Sequence, residues 1–590
     1  MKRLLSILLS LCLVAGVLLF TQAETLTGSS TSKIGGEGAI VVEVTLDEAG
    51  AIKNIAVVEN KDTPGISDPA VETIPAAIVE HQSLLVDAVT GVTYTSEAIV
   101  LAVRDALTKK GIDASKFEVE VNKEVEKGED VEKTVDVVVI GAGGAGMTAA
   151  VQAHINGATV LILEKMPKVG GNTILSGGAL NAVDDRSEMA IKTNDSAEWH
   201  YQQTIAGGDY QGIPSLVHIM TSRAWEAVEW VKALGMEFIE GETFTVAGGL
   251  WPRAHKPVTP VGTGFFNTYN AYIDSHEGIE LMLNTKAEEL IVDDFGRVVG
   301  VRATGATGET VTAMANKGVV MAAGGFGASV ELRQAFNTTW STLDASIPTT
   351  NHPGATGDGI KMLMKVGADL IQMGNIQLLP LGDPNNGSLS GNVSRRVEMV
   401  VYVNKNGERF VNEGGRRDEM TRALFAQPDN YMWIVTDAHA FPTGDVQNNF
   451  NESVDQLVAD GRAVKGETLE ELAEKMQVPY ENLKAALENY NAHCATKDKD
   501  EFGRTLYGDP IDRAPFYASP RVPTVHHTMG GARINEYAQV LNENQQVIPG
   551  LYAAGEITGG IHGANRLGGN ALTDLLVFGR IAGESAAMGR

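Results

Sequence analysis

Apolar and polar residues alternate across residues 38–46 and again across 52–59, on either side of the short stretch "DEAG". A period of two predicts a β-hairpin with one buried face. Residues 97–109, "EAIVLAVRDALTK", switch to helical apolar spacing. The charged residues 113–133 that follow break every period and predict a linker. Val135 to Ile140 then reads as an apolar strand interrupted only by Asp136, running into glycines and a further helical pattern. That order is the start of a doubly wound α/β domain. Residues 468–476 and 480–493 predict a helical pair, with Thr468 and Glu471 as a capping box and Pro479 at the start of the second helix. No solenoid-like repeat is present.

At 590 residues the chain exceeds a single hydrophobic core and predicts about three or four units. Many of its 65 glycines fall in short clusters, at 141–146, 170–178, 322–327 and 553–569. Such clusters mark turns where backbone approaches a ligand. The net charge of −27 excludes nucleic acid as the main partner, since phosphate binding needs Lys and Arg. Residues 1–23 read as an export signal: Lys2 and Arg3, an apolar run to Phe20, then "TQA". Cleavage and retention as a membrane anchor both remain open, and both place the protein outside the cytoplasm, at the cell envelope or surface. Cys12 and Cys494 are the only cysteines, and no C-x-x-C-H motif occurs. Iron–sulfur clusters and c-type haem are thereby excluded, with no metal site expected, and Cys494 reads as a packing residue. Redox chemistry would need organic cofactors or a partner.

"VVVIGAGGAGMTAA" places Gly141, Gly143 and Gly146 in G-x-G-x-x-G spacing between a strand and a helix. A second strand, "ATVLILE", ends in Glu164, 18 residues after Gly146, where a carboxylate meets the adenosine ribose. The following stretch supplies Gly171, Asn172, Thr173 and Gly178, and "GLYAAGEITGGIHGANRLGGNALTD" adds a third backbone-rich wall. A cofactor touched by three distant segments is long, which favours non-covalent FAD over NAD.

"GGNTILSGGALNA", "NHPGATGDG", "ERFVNEGGRRD", "VHHTMGG" and "HGANRLGGNAL", in that order, resemble the motifs of the soluble fumarate reductase and urocanate reductase flavoproteins. The resemblance implies an FAD-binding domain over 134–374 and 527–590, interrupted by an α+β capping domain at 375–526. It implies that residues 322–327, Asp358, Glu556 and Asn570 help hold FAD, with His527 at the flavin. It assigns Arg566 and His526 to a carboxylate clamp, for which the guanidinium fork is suited. It makes Arg417 the proton donor, reprotonated in the family by a second Arg and an acid. Arg396 aligns with that second Arg, Arg395 being an adjacent substitute, but the acidic position is Val393. A detour through Glu398 or Glu413 is one alternative. Arg416 reads as a solvated basic turn.

Fumarate reductases carry a His for the second carboxylate where "NIQLLPL" has Leu379, and a nearby threonine aligns with Asn392. Burying a second carboxylate without a cation costs several kcal/mol. The expected substrate is therefore an acrylate, aryl-acrylate or heteroaryl-acrylate. Alternatives are fumarate reduction proper, a ketosteroid-dehydrogenase-like enzyme, and a non-catalytic flavin shuttle.

Upstream, "DAVTGVT" resembles the D-x-x-[ST]-G-A-[ST] signature of FMN-binding domains through Asp87, Thr90, Gly91 and Thr93, with Val92 replacing Ala. The resemblance implies a small α+β domain over 31–112, in which a flavin transferase links FMN covalently to Thr93. Thr95 and Ser96 are expected to cap the following helix. Electrons would pass from a membrane or extracytoplasmic donor to FMN and then FAD, as in anaerobic respiration.

Overall fold

The computed structural model describes residues 24–32, 36–47, 49–62, 67–89, 92–119, 127–241, 243–259 and 261–590. The expected export signal and the motif residues Thr90 and Gly91 lie outside them. Among the described residues, no helix is long and apolar enough to cross a membrane. The chain divides into two units, Met1–Glu124 and Val125–Arg590.

In the first unit, strands Glu24–Ser32, Gly36–Leu46 and Ile52–Asn60 form an antiparallel sheet in that order. Val42, Val44 and Leu46 face its core, as their period of two demands. Helices Asp68–His81 and Thr93–Lys109 cover that face through Ile74, Ile78, Ile99 and Val103. Ala114 and Phe117 of a short 3-10 turn pack into the same core, so the expected linker begins later than residue 113.

Thr93 opens the second of these helices. Thr95 and Ser96 do not cap it. Thr95 Oγ1 donates to the buried Asp62 carboxylate at 2.6 Å, while Ser96 Oγ donates back to Val92 O and accepts from Val89 N–H. Both lie past the first helical residue, so their hydroxyls reach a neighbouring strand end and the preceding turn.

The second unit is built on a sheet whose central strands Thr310–Met321, Val131–Ile140, Val160–Leu163 and Ile279–Met282 run parallel. Val547–Ala553 extends it beside Thr310–Met321, and a hairpin of Lys286–Val292 and Val298–Thr304 leans on that strand. Val137 to Ile140 and Val160 to Leu163 are buried throughout, as strands covered on both faces are. Helices Gly144–Ile155 and Asn570–Met588 pack together on it.

A second sheet carries the expected capping segment. Ile376–Gly382, Phe516–Thr528, Met432–Asp437 and Val401–Asn404 pair antiparallel in that order. Alternate residues feed two cores. Val401, Val403, Val435 and Ala518 face the pair Leu469–Met476 and Tyr480–Thr496. Tyr402, Ile434 and Tyr517 face Met420 and Leu424 of the helix Arg417–Phe425. Thr468 Oγ1 accepts from Glu471 N–H, but the Glu471 carboxylate bonds Glu467 N–H rather than the cap itself. Pro479 stands just before the second helix, as its cap residue. Cys494 is buried in the first core.

Candidate active site

The glycine turn between Val131–Ile140 and Gly144–Ile155 has the tightness a pyrophosphate needs. Gly141 has φ +99°, and a Cβ on Gly146 would stand 1.9 Å from Gly141 O. Gly143 stands as the N-cap and Gly144 opens the helix, whose first-turn N–H groups have no carbonyl partner within the helix. Glu164 is buried at the end of the neighbouring strand, accepting from Ala142 N–H at 2.7 Å and Met166 N–H at 2.9 Å. Burial pushes its carboxyl up, against those two bonds. Gly171, Asn172 and Thr173 form the next wall: Thr173 Oγ1 accepts from Gly144 N–H, and Gly178 has φ +75°. Asn172 donates to Asn351 and to Glu556, whose other oxygen accepts from Thr528 N–H at 3.0 Å. Asp358, at a helix start, pairs with Lys165 at 2.6 Å; burial would raise its carboxyl, but Lys165 holds it low. These residues converge from four distant segments and fit an extended dinucleotide such as FAD. Asn570 plays a different part. Its amide is spent on Asn181, His200 and Thr204 in a buried network behind the Gly568–Gly569 turn.

Beside this trough lies a cationic centre. Arg417 Nε donates to Ala247 O at 2.9 Å and Nη1 to Gln377 Oε1 at 3.1 Å. A Cβ on Gly568 would stand 2.4 Å from Ala247 O and 2.9 Å from Arg417 Nη2, so the turn packs on the arginine only as glycine. Arg566 Nη1 donates to Leu567 O, and its buried Nε has no partner among the described residues. Among the described residues, neither guanidinium pairs with a carboxylate. Burial, and then Arg566, push Arg417 well below the usual arginine range; burial brings Arg566 down to about 10, resisted by Glu556 and Asp574. Two buried cations with no carboxylate in hydrogen-bond reach among the described residues make an anion site, although Glu556 and Asp574 act on Arg566 from further off.

His526 completes it. Its Nδ1 lies 2.8 Å from Thr350 Oγ1, and burial together with Arg566 and Arg417 holds the ring neutral. A neutral imidazole donates one hydrogen bond without adding a third charge. His527 is buried with Nδ1 unpaired, edge-on to His562 at 5.5 Å, and His562 Nε2 meets Asp574 at 3.2 Å.

The expected proton relay is not assembled at Arg396, Arg395, Val393 or Glu413; Glu398, the other alternative, keeps a buried carboxylate oxygen with no hydrogen-bond partner among the described residues. Arg396 is exposed, and Arg395 donates to Ala440 O. Val393 is fully buried in the apolar core with Tyr402 and Met420. Glu413 is bound by Arg409 at both oxygens and by Arg504 at 2.8 Å. Arg416 is no solvated turn: it pairs with Asp209 and Asp418. Leu379 is 1% exposed, and the Asn392 amide is consumed by Leu389 O and Ser394 N–H. Gln377 escaped the sequence reading. It joins the two arginines, accepting from Arg417 and donating to Arg566 O at 2.8 Å. A glutamine two residues from the position scanned for histidine was the available signal.

The FAD binding domain family matches residues 136–572, and the FMN-binding domain family matches 35–108. The chain is 37% identical to the NADH:acrylate oxidoreductase of Vibrio harveyi, over 94% of its own length and 60% of that protein's. It is 36% identical to the urocanate reductase of Eggerthella lenta, over 96% of its length and 92% of the relative's. Among solved structures, the open form of a flavocytochrome c3 fumarate reductase superposes with a TM-score of 0.62 at 32% identity, covering 80% of this chain and 83% of that one. The chain spans under two thirds of the acrylate oxidoreductase, which is the longer protein. With its glycine trough, buried arginines and flanking domain now in place, the chain belongs to the FAD binding domain family of flavoproteins, with an FMN-binding domain ahead of the FAD-binding one.

Proposed function

We propose that this protein is an exported flavin-dependent reductase of α,β-unsaturated monocarboxylates, acting as the terminal step of an anaerobic electron chain. The observation that carries this reading is the pair Arg417 and Arg566, buried in one neighbourhood and, among the described residues, neither hydrogen-bonded to a carboxylate. An incoming carboxylate neutralises Arg566, with His526 as the second donor, and the withdrawn charge polarises the adjacent C=C bond. Bound and reduced, FAD supplies the hydride. Arg417, through its unbonded Nη2, delivers the proton to the neighbouring carbon. Gln377 ties the Arg417 guanidinium to the backbone carbonyl of Arg566 and so fixes where Arg417 stands relative to the Arg566 turn. Thr93 would carry FMN after attachment by a flavin transferase, and the bound group would supply electrons from a membrane or extracytoplasmic donor.

Leu379 and the occupied Asn392 support a substrate with one carboxylate and a less polar tail. Similar proteins are named for acrylate, for urocanate and for fumarate alike, so the choice of a monocarboxylate rests on Leu379 and Asn392. The test offers holoenzyme with reduced viologen a panel of fumarate, urocanate, cinnamates, acrylate and methacrylate. Turnover of a monocarboxylate above the rest is expected; fumarate faster than all others would overturn the substrate reading.

A further inference from the structure

We infer that Asp209 and Arg416 are positioning residues for the proton-transfer step, a clasp that holds the helix carrying Arg417 to the loop carrying Arg566. This rests on the unsaturated-carboxylate reading of the site. Arg566 acts on the buried Arg417 as a like charge, so the two segments are pushed apart until a substrate anion arrives. An attachment between the same two segments, away from the substrate, opposes that push.

Arg416 directly precedes Arg417 at the start of the helix Arg417–Phe425. Its two terminal nitrogens donate to the two oxygens of Asp209, at 2.5 and 3.0 Å. The same guanidinium donates to Asp418 of its own helix at 3.0 and 3.1 Å. Asp418 is buried and is also held by Arg422 at 2.8 Å, so the fork is oriented from its own side before Asp209 meets it. Most exposed ion pairs contribute little, but a bidentate fork anchored in a network is the exception. Arg416 holds the Asp209 carboxyl below the usual carboxylate range, and Asp209 raises Arg416 in turn.

Asp209 is fastened to the Arg566 loop through its backbone. It follows the helix Ala197–Gly207. Asn565 Nδ2 donates to Gly207 O at 3.1 Å and Ala564 N–H to Gly208 O at 2.9 Å, while a Cβ on Gly208 would stand 2.4 Å from His562 O. Local preference does not explain the residue chosen. Asp209 has φ +55°, where helices usually end on glycine, and the exposed Tyr210 follows at φ +57°. A carboxylate just past a helix C-terminus also meets the negative end of the helix dipole. Three unfavourable local choices within two residues mark a turn kept for something other than its own stability. What that turn presents is the Asp209 carboxylate, and what the carboxylate meets is Arg416.

The test compares Asp209→Asn, Arg416→Gln and the double variant with wild-type holoenzyme. Asparagine tolerates the left-handed position and takes the charge from the helix end, so Asp209→Asn should keep wild-type FAD content and melting temperature. Enzyme reduced stoichiometrically and mixed with the best acrylate of the panel should nonetheless reoxidise about tenfold more slowly at saturation. The half-saturating concentration should stay unchanged, because the carboxylate clamp is intact and only Arg417 is displaced. Arg416→Gln should lose as much, the double variant no more than either single, and Asp209→Glu should recover most of the rate. Unchanged reoxidation at saturation in Asp209→Asn would overturn the inference. So would losses that multiply in the double variant, or a loss that follows a fall in melting temperature and is not relieved by Asp209→Glu. A wild-type flavin that no unsaturated carboxylate reoxidises overturns the underlying reading and this inference together; wild-type turnover with an unaltered Asp209→Asn overturns this inference alone.

Discussion

Arg417 and Arg566 illustrate how a folded chain stores electrostatic free energy for a ligand. Two guanidiniums in a desolvated space repel each other, and an anion placed between them recovers that cost. Arg417→Ala should therefore retain FAD absorbance while alkene reduction falls about 10²- to 10⁴-fold. A flavin shuttle would go on passing electrons to an external acceptor and show no such loss. Arg566→Lys exchanges a planar fork for a point charge, so KM for the carboxylate should rise about tenfold, measured in the same viologen assay. His200, fully buried against Asn570, makes a stability prediction. Burial, and then Arg253, lower it to about 3, so the folded state holds it neutral while the unfolded chain protonates near 6.5. Its contribution is complete above pH 6.5 and is lost as pH falls toward 3, at about 1.4 kcal/mol per unit. Urea unfolding at several pH values should show that slope, and His200→Gln should flatten it.

Elements were legible where burial follows a period. The hairpin, the helix after the threonine-rich stretch and the helical pair announce themselves because one face of each must meet a core. Side-chain partners were less legible. Thr95 finds Asp62, Arg416 finds Asp209 and Asn570 finds His200, all across long sequence separations that no local pattern records. The same holds for the network that braces the capping segment, where Glu413 joins Arg409 and Arg504 with all three side chains buried. Glu413→Gln leaves the buried Arg504 without its carboxylate, while Arg409 keeps Asp500, and should cost about 3–5 kcal/mol in denaturant unfolding. Removing the Thr468 cap, an exposed and local contact, should cost only about 1 kcal/mol.

For the whole molecule, the prediction concerns the order of electron flow. Thr93→Ala should leave FAD bound and viologen-driven turnover intact, yet abolish covalent FMN by mass spectrometry and turnover with the physiological donor. Loss of viologen-driven turnover as well would argue against two separable flavin steps. Glycine spacing, the strand–turn–helix order and the carboxylate at Glu164 were enough to identify a dinucleotide trough, because backbone approach to a pyrophosphate requires those residues in that local order. The clamp residues could be named from motifs that stay contiguous along the chain. Folding alone decided which charges remain unpaired: Glu413 is taken by its arginines, Arg396 is turned outward, and Arg417, Arg566 and Gln377 are brought together from three distant segments. Desolvation and pairing are properties of a three-dimensional neighbourhood, so a linear order of residues carries the candidates for chemistry but not the competition among their partners.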